Sequence, residues 1–176
     1  MRTPLIVLAA ALAALAACDK PKPRVVPPRD GPPGMVAAPQ APLPPEPASA
    51  ALVKRPGMPG FYLDHVGKVL DPMNNPAVVP ADEPLVLGGF GFDMEAKVPA
   101  KAVDVVIDGK PWPTRYGAPR QDVAVFYKTP GLVAVGFSTT LPAGTLAPGP
   151  HVAIVRVIAP DGVGYYESPA ITFQVK

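Results

Sequence analysis

"AVDVVIDG", residues 102–109, decides how the chain folds. Its apolar residues alternate around Asp104 and run into Asp108-Gly109. Asp-Gly between strand-like runs predicts a tight hairpin, because both central positions of a type I′ turn take positive φ. The same texture recurs on either side. Upstream, "PLVLGGFGF" (84–92) is apolar and bounded by Pro and acidic residues, and "FYLDHVGKVL" (61–70) reads as a further strand. Downstream, "GLVAVGFSTTL" (131–141) is β-branched and aromatic. "HVAIVRVIAP" (151–160) alternates Val152, Ile154, Arg156 and Ile158 against Ala153, Val155, Val157 and Ala159. A second Asp-Gly, Asp161-Gly162, leads into "GYYES" and "AITFQVK" (170–176), with Tyr165 and Tyr166 expected on opposite faces of a strand. Only "RQDVAVFYK" (120–128) suits a short helix. Six or seven short strands punctuated by turns, with no amphipathic helical pattern of ten residues or more, predict an all-β antiparallel sandwich over 61–176.

The residues before this block read differently. The chain has 176 residues with 28 Pro and 16 Gly, and 13 of the prolines fall between Cys18 and Gly60. Hydrophobic periodicity is absent there. Proline lacks an N–H and fixes φ, which excludes helices and central strands. Residues 18–60 are therefore expected to be a linker. It is either disordered without a length requirement or an extended polyproline II stalk, reaching on the order of 100 Å at about 3.1 Å per residue. Recognition of its prolines by an aromatic groove is a third reading. The linker carries six basic and three acidic residues, whereas residues 61–176 carry nine and eleven. That balance offers no electrostatic footprint for nucleic acid. Lys20, Lys22, Arg24 and Arg29 either rest on anionic headgroups or are simply solvated.

The first 17 residues and the single cysteine suggest where the protein resides. Arg2 supplies a positive n-region, and Leu5 to Ala17 is an uninterrupted apolar run of 13 residues. As a helix this run spans roughly 20 Å against a hydrocarbon core of about 30 Å, too short for a permanent span. With small residues before Cys18, the stretch has the form of a secretory signal peptide, 1–17. Leu15-Ala16-Ala17-Cys18 resembles the lipobox of bacterial lipoproteins. The resemblance implies a diacylglycerol on the Cys18 sulfur, cleavage before Cys18 and acylation (palmitate or a similar chain) of the new amino terminus. Each buried CH₂ contributes about 0.8 kcal/mol, so several chains together anchor a protein durably to the bilayer. Asp19 resembles the enterobacterial signal for inner-membrane retention, a rule other groups follow poorly, so the choice of inner or outer membrane stays open.

Within the block, a set of residues resembles a bacterial immunoglobulin-like module found in cell-surface and envelope proteins. That module's pattern runs Gly-Trp-Ala-x-Asp, Val-x-Val-x-Asp-Gly, Tyr-Gly-x-x-Arg-x-Asp-Val, Gly-Phe and Leu-x-x-Gly-x-His. The matches are Gly91 and Asp93, Val105 to Gly109, Tyr116-Gly117, Arg120, Asp122-Val123, Gly136-Phe137, and Leu146, Gly149 and His151. They cover residues 84 to about 167 and depart from the pattern where Phe90 or Phe92 replaces Trp. The resemblance implies an immunoglobulin-like β-sandwich and assigns no activity. Arg120 and Asp122 are expected to pair, or Asp122 to bind backbone N–H groups, fixing the turn after Tyr116-Gly117. Trp112, Arg115, Tyr116 and Arg120 are the candidate ligand-binding residues, since a flat ring beside a fork of donors suits a sugar. The alternative is that Trp112 caps the core.

Catalytic signals are weak. His65 and His151 lie far apart with no partner at metal spacing, and His151 reads as a half-exposed strand residue. Ser49, Ser138 and Ser168 lie in no nucleophile elbow. Neither Asp82-Glu83 nor Asp93 with Glu95 makes a full calcium loop. No metal, cofactor or catalytic residue is expected. The sequence reads as a lipid-anchored, periplasmic-side envelope protein with a non-catalytic domain that binds a protein or a glycan. The alternative is a hydrolase or other enzyme acting on envelope polymers.

Overall fold

Alternation across the pleat sorts each strand of this chain into inner and outer side chains, and two such sheets close over the inner set. The computed structural model describes residues 42–176. In chain order the strands are β1 (Val53–Lys54), β2 (Gly60–Val66), β3 (Val69–Leu70), β4 (Ala77–Val79), β5 (Leu85–Asp93) and β6 (Val98–Pro99). Next come β7 (Ala102–Ile107), β8 (Lys110–Pro113) and β9 (Arg115–Pro119), followed by the helix α1 (Gln121–Phe126) and a 3₁₀ turn (Pro130–Val133). The last strands are β10 (Ala134–Leu141), β11 (Gly149–Ile158), β12 (Gly164–Glu167) and β13 (Ile171–Val175). The result is an all-β sandwich.

In the larger sheet β11 is central. It pairs antiparallel with β7, whose other neighbour is β8, and with β12 and β13. Two short edges are parallel, β1 on β12 and β4 on β13. The smaller sheet runs β3-β2-β5-β10-β9, with β6 on the end of β5. Leu63, Leu87, Val105, Phe137, Val155 and Phe173 meet between the sheets. A second apolar cluster, of Phe92, Val123, Ala124, Leu132 and Val135, includes residues of α1 and the 3₁₀ turn.

The Asp108-Gly109 hairpin forms between β7 and β8, with φ of 49° and 82° at its two central residues. Asp161-Gly162 instead sits in a longer loop. Gly162, at φ 71°, donates its N–H to the Ala159 carbonyl. The stretch 61–70 folds back on itself as the β2–β3 hairpin, with Gly67 at positive φ. Tyr165 and Tyr166 pair with Ile158 and Val157, hence opposite faces, yet both are buried.

The outer tyrosine is buried because the sandwich takes in chain upstream of Phe61. Pro47 and Pro56 bracket Ala48–Arg55, a stretch with a full set of backbone donors. The Ala48 and Ser49 N–H groups reach the Asp104 carboxylate at 3.2 and 2.7 Å. β1 then pairs with β12, and Arg55 donates its N–H to the Tyr165 carbonyl. Asp104, Val106 and Ile158, on the outer face of the larger sheet, are all within 2% of full burial. Residues 18–41 of the linker, the signal stretch 1–17 and Cys18 lie outside the described residues. Among the described residues no helix is long and apolar enough to cross a membrane.

Candidate functional site

The four candidate binding residues go to different places. Trp112 stands opposite Val105 in the β7–β8 pair and packs against the core. Its Nε1 is buried with no hydrogen-bond partner, and Lys110 Nζ sits 4.3 Å from the ring centre. Tyr116, opposite Phe137, also points inward, between the two apolar clusters. Its hydroxyl donates to the Gly91 carbonyl (2.8 Å) and accepts from the Ala100 N–H (2.9 Å), and burial pushes the phenol up to about 12. Arg115 alternates with it, opposite Ser138 on the outer side of the smaller sheet. Trp112, Arg115 and Tyr116 therefore share no exposed face.

Arg120 takes part in an ion triad. It stands just before α1 and grips Asp122 with two bonds, Nε to Oδ1 at 2.9 Å and Nη2 to Oδ2 at 2.7 Å. Nη1 donates to Asp64 Oδ2 on β2, and the guanidinium carbon lies 5.0 Å from the centre of the Phe90 ring. The bond to Asp122 raises the guanidinium pKa, and the same bond lowers that of the Asp122 carboxyl. The pairing of Arg120 with Asp122 thus ties α1 to itself, and the added bond to Asp64 ties α1 to the sheet.

Around this triad the outer face of the smaller sheet opens into a cleft of about 400 Å³. Its walls are Phe61, Tyr62, Phe90, Phe126 and Tyr127, with Asp64, Arg120 and Asp122 at the polar side. A register shift between Leu63 and His65 lets Asp64 slip in ahead of the residue that faces Gly88. Glycines make the close approaches possible. A Cβ on Gly89 would collide with the Tyr62 carbonyl oxygen, and one on Gly136 would meet Ala118 O at 2.9 Å and Arg120 Cγ at 3.1 Å. The rings form a continuous set. Phe90 stacks between Tyr62 (6.4 Å) and Phe92 (6.2 Å), and Tyr127 meets Phe92 edge-on at 4.8 Å and Phe126 at 5.0 Å. The Tyr62 hydroxyl donates to Asp71, a bond that raises the phenol pKa and lowers that of the carboxyl.

Two of the cleft's neighbours are unusual for a surface helix of six residues. Phe126 is 78% exposed and Val125 67%. Grouped exposed apolar residues beside ordered rings mark a contact surface more often than scattered ones do. Sequence reasoning found Arg120 and Asp122 but not Tyr62, Asp64, Phe90, Phe126 and Tyr127. The available signal was the spacing of Phe90 with Phe92, two apart along a strand and so on one face, whereas the bulge at Asp64 has no signal in the spacing.

His151 is buried rather than half-exposed. Its Nδ1 lies 2.6 Å from Asp108 Oδ2 and its Nε2 2.7 Å from the Ala147 carbonyl. Both partners are acceptors, so both ring nitrogens donate only in the imidazolium. Burial alone pulls its pKa down, but the bonds to Asp108 and Ala147 outweigh it and the net shift is upward. Among the described residues no group of three or more His, Cys, Asp or Glu side chains is placed to hold a metal ion. Comparison with family models, curated proteins and solved structures finds no match for this chain.

Proposed function

We propose that this protein is an envelope lipoprotein, moored by lipid on Cys18, whose β-sandwich binds a protein or glycan partner without catalysing a reaction. The lipobox-like Leu15-Ala16-Ala17-Cys18 supports the anchor, and the proline-rich linker supports a domain held away from the bilayer. The resemblance to an immunoglobulin-like module of envelope proteins supports a binding role on the periplasmic side of the membrane. The observation that carries the binding reading is the exposed aromatic cleft beside α1, with Phe126 held out at its edge.

Two experiments test this reading. Radiolabelled palmitate should enter the wild-type chain and not Cys18→Ala, which should leave the membrane fraction. A Cys18→Ala protein that still partitions with membranes refutes the anchor. A photo-crosslinking amino acid at position 126, in intact envelopes, should give one discrete adduct that position 163, also exposed but in a loop of the larger sheet, does not give. Identical patterns at the two positions refute the cleft as a binding site.

A further inference from the structure

We infer that the cleft is a receptor for a cation, the side chain of an Arg or Lys presented by a partner protein. The inference rests on the binding reading above and names what the cleft takes. The charges facing outward decide it. Among the described residues lining the cleft, Arg120 is the one cation, and two carboxylates, Asp64 and Asp122, already hold it. Its side chain is 19% exposed, against 36% for Asp64 and 65% for Asp122, so solvent meets the carboxylates first. Asp71, bonded to the Tyr62 hydroxyl, adds a third carboxylate at the polar end of that ring.

The rings reinforce the sign. An aromatic face carries negative quadrupole charge and attracts a guanidinium or ammonium within about 6 Å of its centre. The cleft already does this once, with Arg120 over Phe90 at 5.0 Å. Tyr62, Phe126 and Tyr127 offer further aromatic surface around the same space. About 400 Å³ accommodates a long side chain, its methylene stem along Phe126 and Tyr127 and its charged head toward Asp122. An anionic partner would meet the same carboxylates and be repelled. A neutral sugar would stack on the rings but leave the excess negative charge unanswered.

The test uses the full-length lipidated protein in an uncharged detergent. The probe is a fluorescent Gly-Pro-Arg-Pro-Lys-Pro-Gly peptide, followed by anisotropy. The counterpart with Glu in place of Arg and Lys, and chitotetraose as a competitor, complete the set. The basic peptide should bind, and raising salt from about 50 to about 300 mM should weaken it. Phe126→Ala, at an exposed site, should weaken it about tenfold, and Asp122→Asn should also weaken it. Circular dichroism confirms that both variants fold. Equal binding of the Glu peptide, unchanged binding to Phe126→Ala, or no binding of the basic peptide overturns the cation receptor. If the position-126 crosslink in envelopes persists in that case, the cleft still binds and only its ligand class is wrong. Displacement of the envelope adduct by chitotetraose would make that class glycan.

Discussion

The two outer faces of the sandwich meet the same problem in different ways. Each sheet has apolar residues on the side facing away from the core: Val106 and Ile158 on the larger, Phe90 and Phe92 on the smaller. On the larger sheet the chain segment 47–55 closes the face. A buried carboxylate, Asp104, gathers two backbone N–H groups, and Lys54 and Arg156 share Glu167 at 2.6 and 2.8 Å. On the smaller sheet, α1 and the 3₁₀ turn cover Phe92 fully and Phe90 only in part, and the cleft remains. The first cover uses backbone donors with few alternative partners, so it is committed. The second rests on ring contacts and an ion triad at the rim, which leaves room for another molecule. A face that is closed by the protein's own backbone contributes stability, and one that is left half-closed keeps aromatic surface in contact with solvent.

The sharpest way to break this contrast is at the floor of the open face. Gly89→Ala puts a Cβ against the Tyr62 backbone, where no side chain can move aside. It should cost about 3 kcal/mol or more and greatly lower the yield of folded protein, read by urea denaturation. On the closed face, Asp104→Ala strands the Ala48 and Ser49 donors. A loss of about 2–3 kcal/mol and a melting temperature lower by about 10 °C are expected, with protease cleavage newly appearing near residues 48–55. An unchanged melting temperature would mean that the segment does not seal the sheet.

The His151–Asp108 bond tests whether the larger sheet's end carries an electrostatic part. The folded-state pKa of His151 is raised, so its contribution is complete below the ordinary value of about 6.5 and fades as pH climbs through the folded one. The folded-state pKa of Asp108 is lowered, so its share is present above the ordinary carboxyl value and fades as pH falls. Between about pH 5.5 and about pH 8.5 the wild type should lose melting temperature relative to His151→Gln. Parallel profiles would remove the imidazolium from the account. The smallest effect belongs to Trp112→Phe. The indole N–H it deletes has no partner, so stability should shift by under about 1 kcal/mol in thermal melts. A larger loss would mean that the second ring of the indole fills more of the core than its half-buried position implies.

Much of the frame was legible from local chemistry. Asp108-Gly109 turned as a type I′ hairpin because few other residue pairs accept two positive φ values. The alternation of "HVAIVRVI" placed Val155 and Val157 inside, and "RQDVAVFYK" contained the helix. The pairing of Arg120 with Asp122 was legible because the two lie two residues apart. Their third partner, Asp64, is 56 residues from Arg120, and no local pattern announces it. The same holds for Asp104, which reads as a polar interruption of a strand but accepts donors from a segment that looked like part of a proline-rich linker. The parallel pairs β1–β12 and β4–β13 also join distant segments with no turn between them.

The amino-acid sequence determined by itself the all-β class, the Asp108-Gly109 hairpin and the inner face of most strands, because these depend on φ preferences and on a period of two that neighbours enforce. Only the tertiary structure decided which outer face is sealed and which stays open. That choice depends on where a segment 55 residues away in the chain finds a buried carboxylate, and on how far a six-residue helix reaches across its sheet.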